Sequence, residues 1–189
     1  MTTGLSSSLP TRQVDQAFRH YRIIAADKGA VATAIAYAGM WRVHQLDSGT
    51  VEEAVQAMEV ALESRLAEFS SRRDADGWPS ADEFRDGLLA MPPALRNTLL
   101  PILNAHARLP HAKAGINELA RITGRDRAEI LADYRKLGRW LFAKLQLAKQ
   151  GLPRHRALAV LDSFAVCDGE EPVGYPIVQL RPAFVQALS

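Results

Sequence analysis

The stretch NELARITGRDRAEILADYRKLGRWL, residues 117–141, has the pattern of two helices separated by a tight turn. Apolar residues at helical spacing predict a first short helix over about 115–122. Gly124 follows, where a helix C-terminus favours a left-handed residue, a conformation that glycine adopts without a Cβ penalty. Asp126 and Glu129 form an acidic version of the capping box, which predicts that a second helix begins there.

The second predicted helix has two different faces. Its apolar residues recur at helical spacing, so that one face carries Ile130, Tyr134, Leu137 and Leu141. The opposite face carries Ala128, Ala132, Arg135 and Arg139, with Lys136 on its flank. Two alanines leave room for close approach, and arginines can fork onto guanine edges or phosphates. The pattern therefore favours a helix that binds nucleic acid.

The charge of the 189-residue chain is strongly asymmetric, although its net charge is only +2. Residues 41–91 contain five Arg and eleven Asp or Glu, whereas residues 106–156 contain twelve Lys or Arg and four acidic residues. Such an asymmetry indicates a polyanion-binding part joined to an acidic part. The alternative is that both parts have solvated faces that differ only in sign.

Several residues around the turn match a known pattern of apolar and glycine positions: Leu119-Ala120, Gly124 and Ile130. In this pattern the segment resembles the helix-turn-helix family of DNA-binding proteins. The sequence RKLGRWL is similar to the Leu-Gly ending that closes a recognition helix in winged variants, and a following hairpin would be the wing. The resemblance covers about 117–141, with 157–180 as an extension. It departs at Arg125 and Asp133, because the family usually has apolar residues at both positions.

The resemblance implies a protein that reads double-stranded DNA through a helix at about 127–140, either as a transcriptional regulator or as a DNA-maintenance accessory factor. Contacts in the groove are expected from Arg135 and Arg139, beside Ala128 and Ala132. Phosphate contacts are expected from Arg125, Arg127, Lys136, Lys113, Arg154 and Arg156. The phosphate contacts would position the duplex, and the base contacts would specify its sequence.

A second interpretation stays open at this stage. A Leu-Ala-x-x-x-Gly sequence between two helices also occurs in all-α proteins that have no nucleic-acid role. The basic face would then be solvated, or it would meet an acidic protein surface. In that case the chain is a non-enzymatic helical interaction module or assembly subunit.

Residues 12–91 are predicted to form an acidic helical region. Apolar spacing predicts helices over 14–27 and about 30–46. Two capping boxes, Thr50 with Glu53 and Ser80 with Glu83, predict that two further helices begin at these positions. We expect this region to serve homodimerisation or the recruitment of a protein partner.

Residues 92–189 are predicted to form the basic, helix-turn-helix-like region. Pro93 suits the first position of a helix, and Pro101 should kink or split that helix. Residues 158–167 and 173–180 predict a β-hairpin, although the first segment also fits a helix, and 139–150 fits either helix or strand. The predicted fold class is mainly α, with a multi-helix N-terminal part packed with a helix-turn-helix-like C-terminal part and a small β-hairpin near 158–180.

The residue types argue against most catalytic chemistry. A single cysteine, Cys167, excludes an intramolecular disulfide framework and a multi-cysteine zinc site, and makes a reducing, cytoplasmic setting the default. The five histidines are scattered, and no HExxH, GxSxG, phosphate-binding loop or dinucleotide fingerprint occurs. We therefore expect no enzymatic activity, no cofactor and no metal. Residues 1–11 are expected to be disordered without a signal peptide, and the apolar run 29–41 is too short to span a membrane.

Overall fold

The computed structural model describes residues 12–147, 160–171 and 174–189. Arg154 and Arg156, which are predicted phosphate contacts, lie outside these residues, as do 1–11. The chain forms two compact units, Met1–Ser64 and Arg65–Ser189. The division falls within helix α1 (Val51–Ser71), and each unit is described separately below.

The first unit is built on a four-stranded antiparallel meander. Its strands follow one another in the sheet in chain order: β1 (Gln13–Phe18), β2 (Tyr21–Asp27), β3 (Ala32–Ala38) and β4 (Trp41–Ser48). Short turns join them, and Gly39, with a φ of 60°, supplies the left-handed residue between β3 and β4. The N-terminal half of α1 follows directly after this sheet in the chain.

The prediction of a mainly α fold is wrong, because 14–27 and 30–46 are strands and not helices. The spacing of Val14, Phe18 and Tyr21 fits a helical period, but Val14 and Phe18 also fit a period of two in β1, and Tyr21 begins a second such run in β2. In β2 and β3 every second residue faces inward and is buried, namely Tyr21, Ile23 and Ala25, then Ala32, Ala34, Ala36 and Ala38. Partners across the two strands complete one apolar face. Alanine, a strong helix former, occupies this face because tertiary pairing overrides local propensity.

Helix α1 begins at the predicted capping box. Thr50 Oγ1 accepts a hydrogen bond from Glu53 N at 3.2 Å, and Glu53 Oε2 accepts one from Thr50 N at 3.1 Å. The side of the helix that is buried in the first unit carries Val51, Ala54, Met58 and Leu62. Gln16 on β1 donates a 2.7 Å hydrogen bond to Glu59, so that the polar edge of α1 contacts the first strand.

The second unit combines helices with a small sheet. The helices are α2 (Ala81–Leu89), α3 (Pro93–Ala107), α4 (Ile116–Thr123), α5 (Arg127–Lys144) and α6 (Pro182–Leu188). The strands are β5 (Lys113–Gly115), β6 (Ala165–Glu170) and β7 (Pro176–Leu180), and β7 lies antiparallel between the other two. Strands β6 and β7 form a hairpin within the segment 158–180. Pro93 occupies the first turn of α3, as expected, and α3 continues through Pro101 without being split.

A buried histidine links three elements of this unit. His106 on α3 is fully buried, and its Nε2 lies 3.1 Å from the carbonyl oxygen of Val178 on β7. Since a carbonyl only accepts, Nε2 carries the proton, and Nδ1 accepts a 2.9 Å hydrogen bond from the hydroxyl of Tyr134 on α5. Burial lowers the pKa of His106 to about 4 and raises the pKa of Tyr134. The neutral forms of both side chains therefore hold α3, α5 and β7 together.

Helix α5 is longer than the helix-turn-helix resemblance implies. Leu137-Gly138 does not close it, because the helix continues to Lys144. Gly138 instead allows a close approach between α5 and Val160, because a Cβ at this position would lie 2.2 Å from the backbone oxygen of Val160. The C-terminal end of α5 is held by Arg73, which donates a 2.8 Å hydrogen bond to Leu145 O and forms a buried ion pair with Glu83 on α2.

Replacing Gly138 with alanine tests this close approach. Alanine normally stabilises a helix interior by roughly 1 kcal/mol over glycine. Here its Cβ would meet backbone, so we expect Gly138→Ala to lower the free energy of unfolding by about 2 kcal/mol, measured by urea denaturation. Gly87→Ala is the matched control, because its Cβ would meet only the flexible tips of Leu145 and Leu141, at 3.2 and 3.3 Å. A stabilising Gly138→Ala would contradict the close packing.

The buried His106 predicts a loss of stability in mild acid. Between pH 6.5 and 4 the unfolded chain binds a proton at this residue that the folded chain does not bind, so the stability is present above pH 6.5 and is lost as the pH falls to 4. The loss should amount to about 3 kcal/mol. His106→Gln should be less stable at pH 7 and should show a flatter pH dependence in urea denaturation. His44→Gln, at an exposed histidine of β4, should keep the slope of the wild type; equal slopes for all three proteins would rule out His106 as the source.

Candidate nucleic-acid interface

The segment 117–141 folds as two helices joined by a tight turn. Helix α4 ends at Gly124, which has a φ of 67°. Asp126 is the N-cap of α5, and its carboxylate accepts hydrogen bonds from Ala128 N at 2.7 Å and Glu129 N at 3.3 Å. The Gly124 turn and the Asp126 N-cap therefore have the predicted geometry, whereas the Glu129 carboxylate contacts Arg125 and does not complete the capping box.

The two faces of α5 separate as the sequence predicts. Its buried side carries Ile130, Tyr134, Leu137 and Leu141, each with 0% exposure. The outward side carries Ala128, Ala132 and Arg139, which are exposed, and Arg135, which is half-buried. From Ala128 to Arg139 this outward side extends about 16 Å along the helix axis. A helix of this length presents three turns to a partner.

Four arginines on α4 and α5 form no ion pair with any residue in the described parts of the chain, and they are Arg121, Arg127, Arg135 and Arg139. Arg127 donates a 3.2 Å hydrogen bond to the side chain of Asn117 and lies over the ring of Tyr175, at 5.4 Å from its centroid. Arg135 has a buried Nε that donates no hydrogen bond to the described residues. None of these four side chains is therefore neutralised by a described carboxylate.

Two other predicted phosphate contacts are neutralised within the protein. Arg125 Nη2 lies 3.0 Å from Asp133 Oδ2 and 3.3 Å from Glu129 Oε2. Lys136 Nζ lies 3.0 Å from the other oxygen of Asp133. These side chains line an open groove of about 480 Å³ between α3 and α5, together with Ala132. They therefore belong to the side of α5 that faces α3.

The hairpin β6–β7 is acidic at its turn and folds back onto α4. The Glu171 carboxylate accepts hydrogen bonds from Asn117 N at 3.1 and 3.3 Å, at the positive end of the α4 dipole. A Cβ on Gly115, which precedes α4, would lie 2.0 Å from Glu171 Oε1. The hairpin thus presents a carboxylate to the protein, and it presents no described basic side chain at its turn.

The structure brings only some of the predicted site residues together. Arg127, Ala128, Ala132, Arg135, Lys136 and Arg139 share α5, and Arg125 lies in the turn before it. Lys113 lies on β5, where it is opposite Gln179 of β7, and not on either helix of the pair. Sequence reasoning missed Arg121 on α4 and Glu171 on the hairpin. Arg121 could have been predicted, because it is a basic residue directly after the apolar pair Leu119-Ala120 in the predicted first helix. The contact of Glu171 could not, because it joins residues 54 positions apart.

The described residues contain no group of three or more His, Cys, Asp or Glu side chains that could hold a metal ion. Burial raises the pKa of the Cys167 thiol to about 11, and this makes it a poor nucleophile near neutral pH. Within the described ranges, no helix is long and apolar enough to cross a membrane.

The chain matches no protein-family model, no curated protein and no solved structure. The function of the α4–α5 surface is therefore inferred from its own residues.

The contact of Glu171 with α4 can be tested by its effect on stability. Glu171→Ala removes the anion at the N-terminus of α4, and we expect the free energy of unfolding to fall by about 1 kcal/mol in urea denaturation. Glu170→Ala is the matched control, since Glu170 is exposed and precedes the turn. If both variants are equally stable, the carboxylate of Glu171 does not hold the hairpin on α4.

Proposed function

We propose that the second unit binds double-stranded DNA, with α5 in the major groove and α4 crossing the phosphate backbone. The observation that carries the proposal is the set of four arginines on α4 and α5 that form no ion pair with the described residues. Since ion pairs are common elsewhere on this chain, four cations on one pair of helices with no ion-pair partner among the described residues support a polyanionic partner.

The arrangement of elements gives independent support to the proposal. Two helices at a left-handed glycine turn are followed by a hairpin, as in winged members of the helix-turn-helix class that the sequence resembles. The major groove is about 12 Å wide and admits a helix. The exposed alanines 128 and 132 allow the backbone of α5 to approach base edges closely. The protein would act as a transcriptional regulator or a DNA-maintenance accessory factor.

The residues divide into two roles. Arg135 and Arg139 lie on the outward side of α5, where a guanidinium can form a bidentate contact with guanine O6 and N7. Arg121 and Arg127 flank this side and are suited to phosphates. The hairpin turn is acidic, so the phosphate backbone of DNA would repel it. The hairpin therefore does not act as a basic, DNA-contacting wing. Binding therefore depends on α4 and α5.

The charge of the surface sets the expected salt dependence. Phosphates neutralised by Arg121 and Arg127, and by Lys136 when it leaves Asp133, would give a slope of about −2 to −3 in a plot of log affinity against log salt concentration. A fluorescence-anisotropy titration of a labelled duplex at several salt concentrations measures this slope. Heparin is the competitor that reveals general polyanion binding.

The double substitution Arg135→Ala/Arg139→Ala tests the assignment of α5. We expect affinity for the duplex to fall by at least about 30-fold with a nearly unchanged salt slope, because each base contact is worth roughly 1–3 kcal/mol and neither arginine is assigned to a phosphate. Circular dichroism should show unchanged helicity, since Arg139 is exposed and Arg135 forms no hydrogen bond or ion pair with the described residues.

Lys28→Ala/Arg42→Ala is the matched control, because it removes two exposed cations from the first unit. It should leave affinity and slope near the wild-type values. If the α5 variant binds as tightly as the wild type, α5 is not the DNA-binding helix. If the wild type binds heparin and duplex alike, the basic surface serves instead to contact an acidic protein partner.

A further inference from the structure

The two departures from the helix-turn-helix pattern, Arg125 and Asp133, contact each other. We propose that Arg125 is a positioning residue and not a phosphate ligand: with Asp133 it forms an ion pair that holds the turn against α5. The pair occupies the two positions at which the resembled family usually has apolar residues. Its consequence for DNA binding rests on the proposed function, whereas the ion pair itself does not.

Asp133 is the unusual member of the pair. It is only 4% exposed, and an unpaired carboxylate at such a site is strongly unfavourable. Its Oδ2 lies 3.0 Å from Arg125 Nη2, and its Oδ1 accepts a 3.0 Å hydrogen bond from Lys136 Nζ. The Arg125 contact is an ion pair without hydrogen-bond geometry, because Asp133 Oδ2 accepts no hydrogen bond from the described residues.

The positions of the two residues explain what the pair holds. Arg125 lies in the turn, before the N-cap Asp126, and Asp133 lies two helical turns into α5. The ion pair therefore bridges the start of the helix and resists rotation of α5 relative to the turn. Such a rotation would move the outward side of α5, including Arg135, away from the major groove of the bound DNA.

Arg125 is badly placed to bind a phosphate. Its side chain is 28% exposed, and moving it onto DNA would remove the guanidinium from a buried carboxylate. Lys136 differs, because its side chain is 56% exposed and Arg125 would still neutralise Asp133 after Lys136 had left. The two predicted phosphate ligands therefore have different roles: Arg125 positions α5, and Lys136 can exchange Asp133 for a phosphate.

A rescue experiment that measures thermal stability tests the ion pair without DNA. Arg125→Leu leaves the buried carboxylate with Lys136 alone, and we expect Tm to fall by about 10 °C. Arg125→Leu/Asp133→Leu restores an apolar contact, and Tm should return to within about 3 °C of the wild type, because a buried ion pair is often replaced by apolar residues without loss. Arg125→Leu/Glu129→Leu is the matched control. It removes the exposed partner of the same arginine and should not restore Tm.

The same variants separate positioning from phosphate contact in the anisotropy titration. Arg125→Leu/Asp133→Leu leaves the net charge unchanged, and we expect wild-type affinity within about threefold and an unchanged salt slope. Lys136→Met should reduce the slope by about one.

Two results would overturn the inference. Failure of Asp133→Leu to rescue Tm would show that the ion pair holds nothing, and a stable double variant with a slope smaller by about one would show that Arg125 contacts phosphate. If the wild type binds no duplex at all, the proposed function fails, whereas the Tm measurements on the single and double variants still test the ion pair.

Discussion

The hydrogen bonds of His106 are the constraint on which the second unit depends. A single buried imidazole bridges the hydroxyl of Tyr134 and the carbonyl oxygen of Val178, so α3, α5 and β7 meet in one geometry. Burial keeps the ring neutral, and the carbonyl acceptor places its proton on Nε2. Phe164 packs edge-on against Tyr134, and Phe184 packs against Phe164, which extends the same core toward α6. The position of α5, and so of its outward face, is consequently fixed by these buried contacts and not by helical propensity alone.

The charges on that face are divided by tertiary contacts into two groups. Arg125 and Lys136 are neutralised by a carboxylate that the fold buries, and they face the groove beside α3. Arg135 and Arg139 face outward and have no acidic partner among the described residues. Net charge along the sequence treats all four alike. The surface that can attract a polyanion is therefore narrower than the basic segment, and the acidic hairpin turn limits it further.

How much could be predicted from the sequence depended on the range of the interactions. The N-caps at Thr50, Ser80 and Asp126, the glycine turn and the buried side of α5 are set by residues within about four positions of one another, and they are present as predicted. Among the described residues, the reciprocal half of the capping box forms at Thr50–Glu53 alone. The N-terminal sheet was mistaken for helices because its inward residues are mostly alanines. Their alternation becomes meaningful only when β2 and β3 pair. Gly138 resembles a helix end in the sequence, because the residue that it packs against, Val160, is 22 positions away.

The sequence by itself determined where α5 begins, which side of it is buried and which residue types it presents outward. These properties follow from periodicity and from hydrogen bonds within one helical turn. Only the tertiary structure decided that the first unit is a sheet, that Arg125 pairs with Asp133, and that the hairpin places Glu171 on α4. Each of these depends on contacts beyond one helical turn: neighbouring strands pair across their turns, Arg125 and Asp133 are eight positions apart, and Asn117 and Glu171 are 54 positions apart.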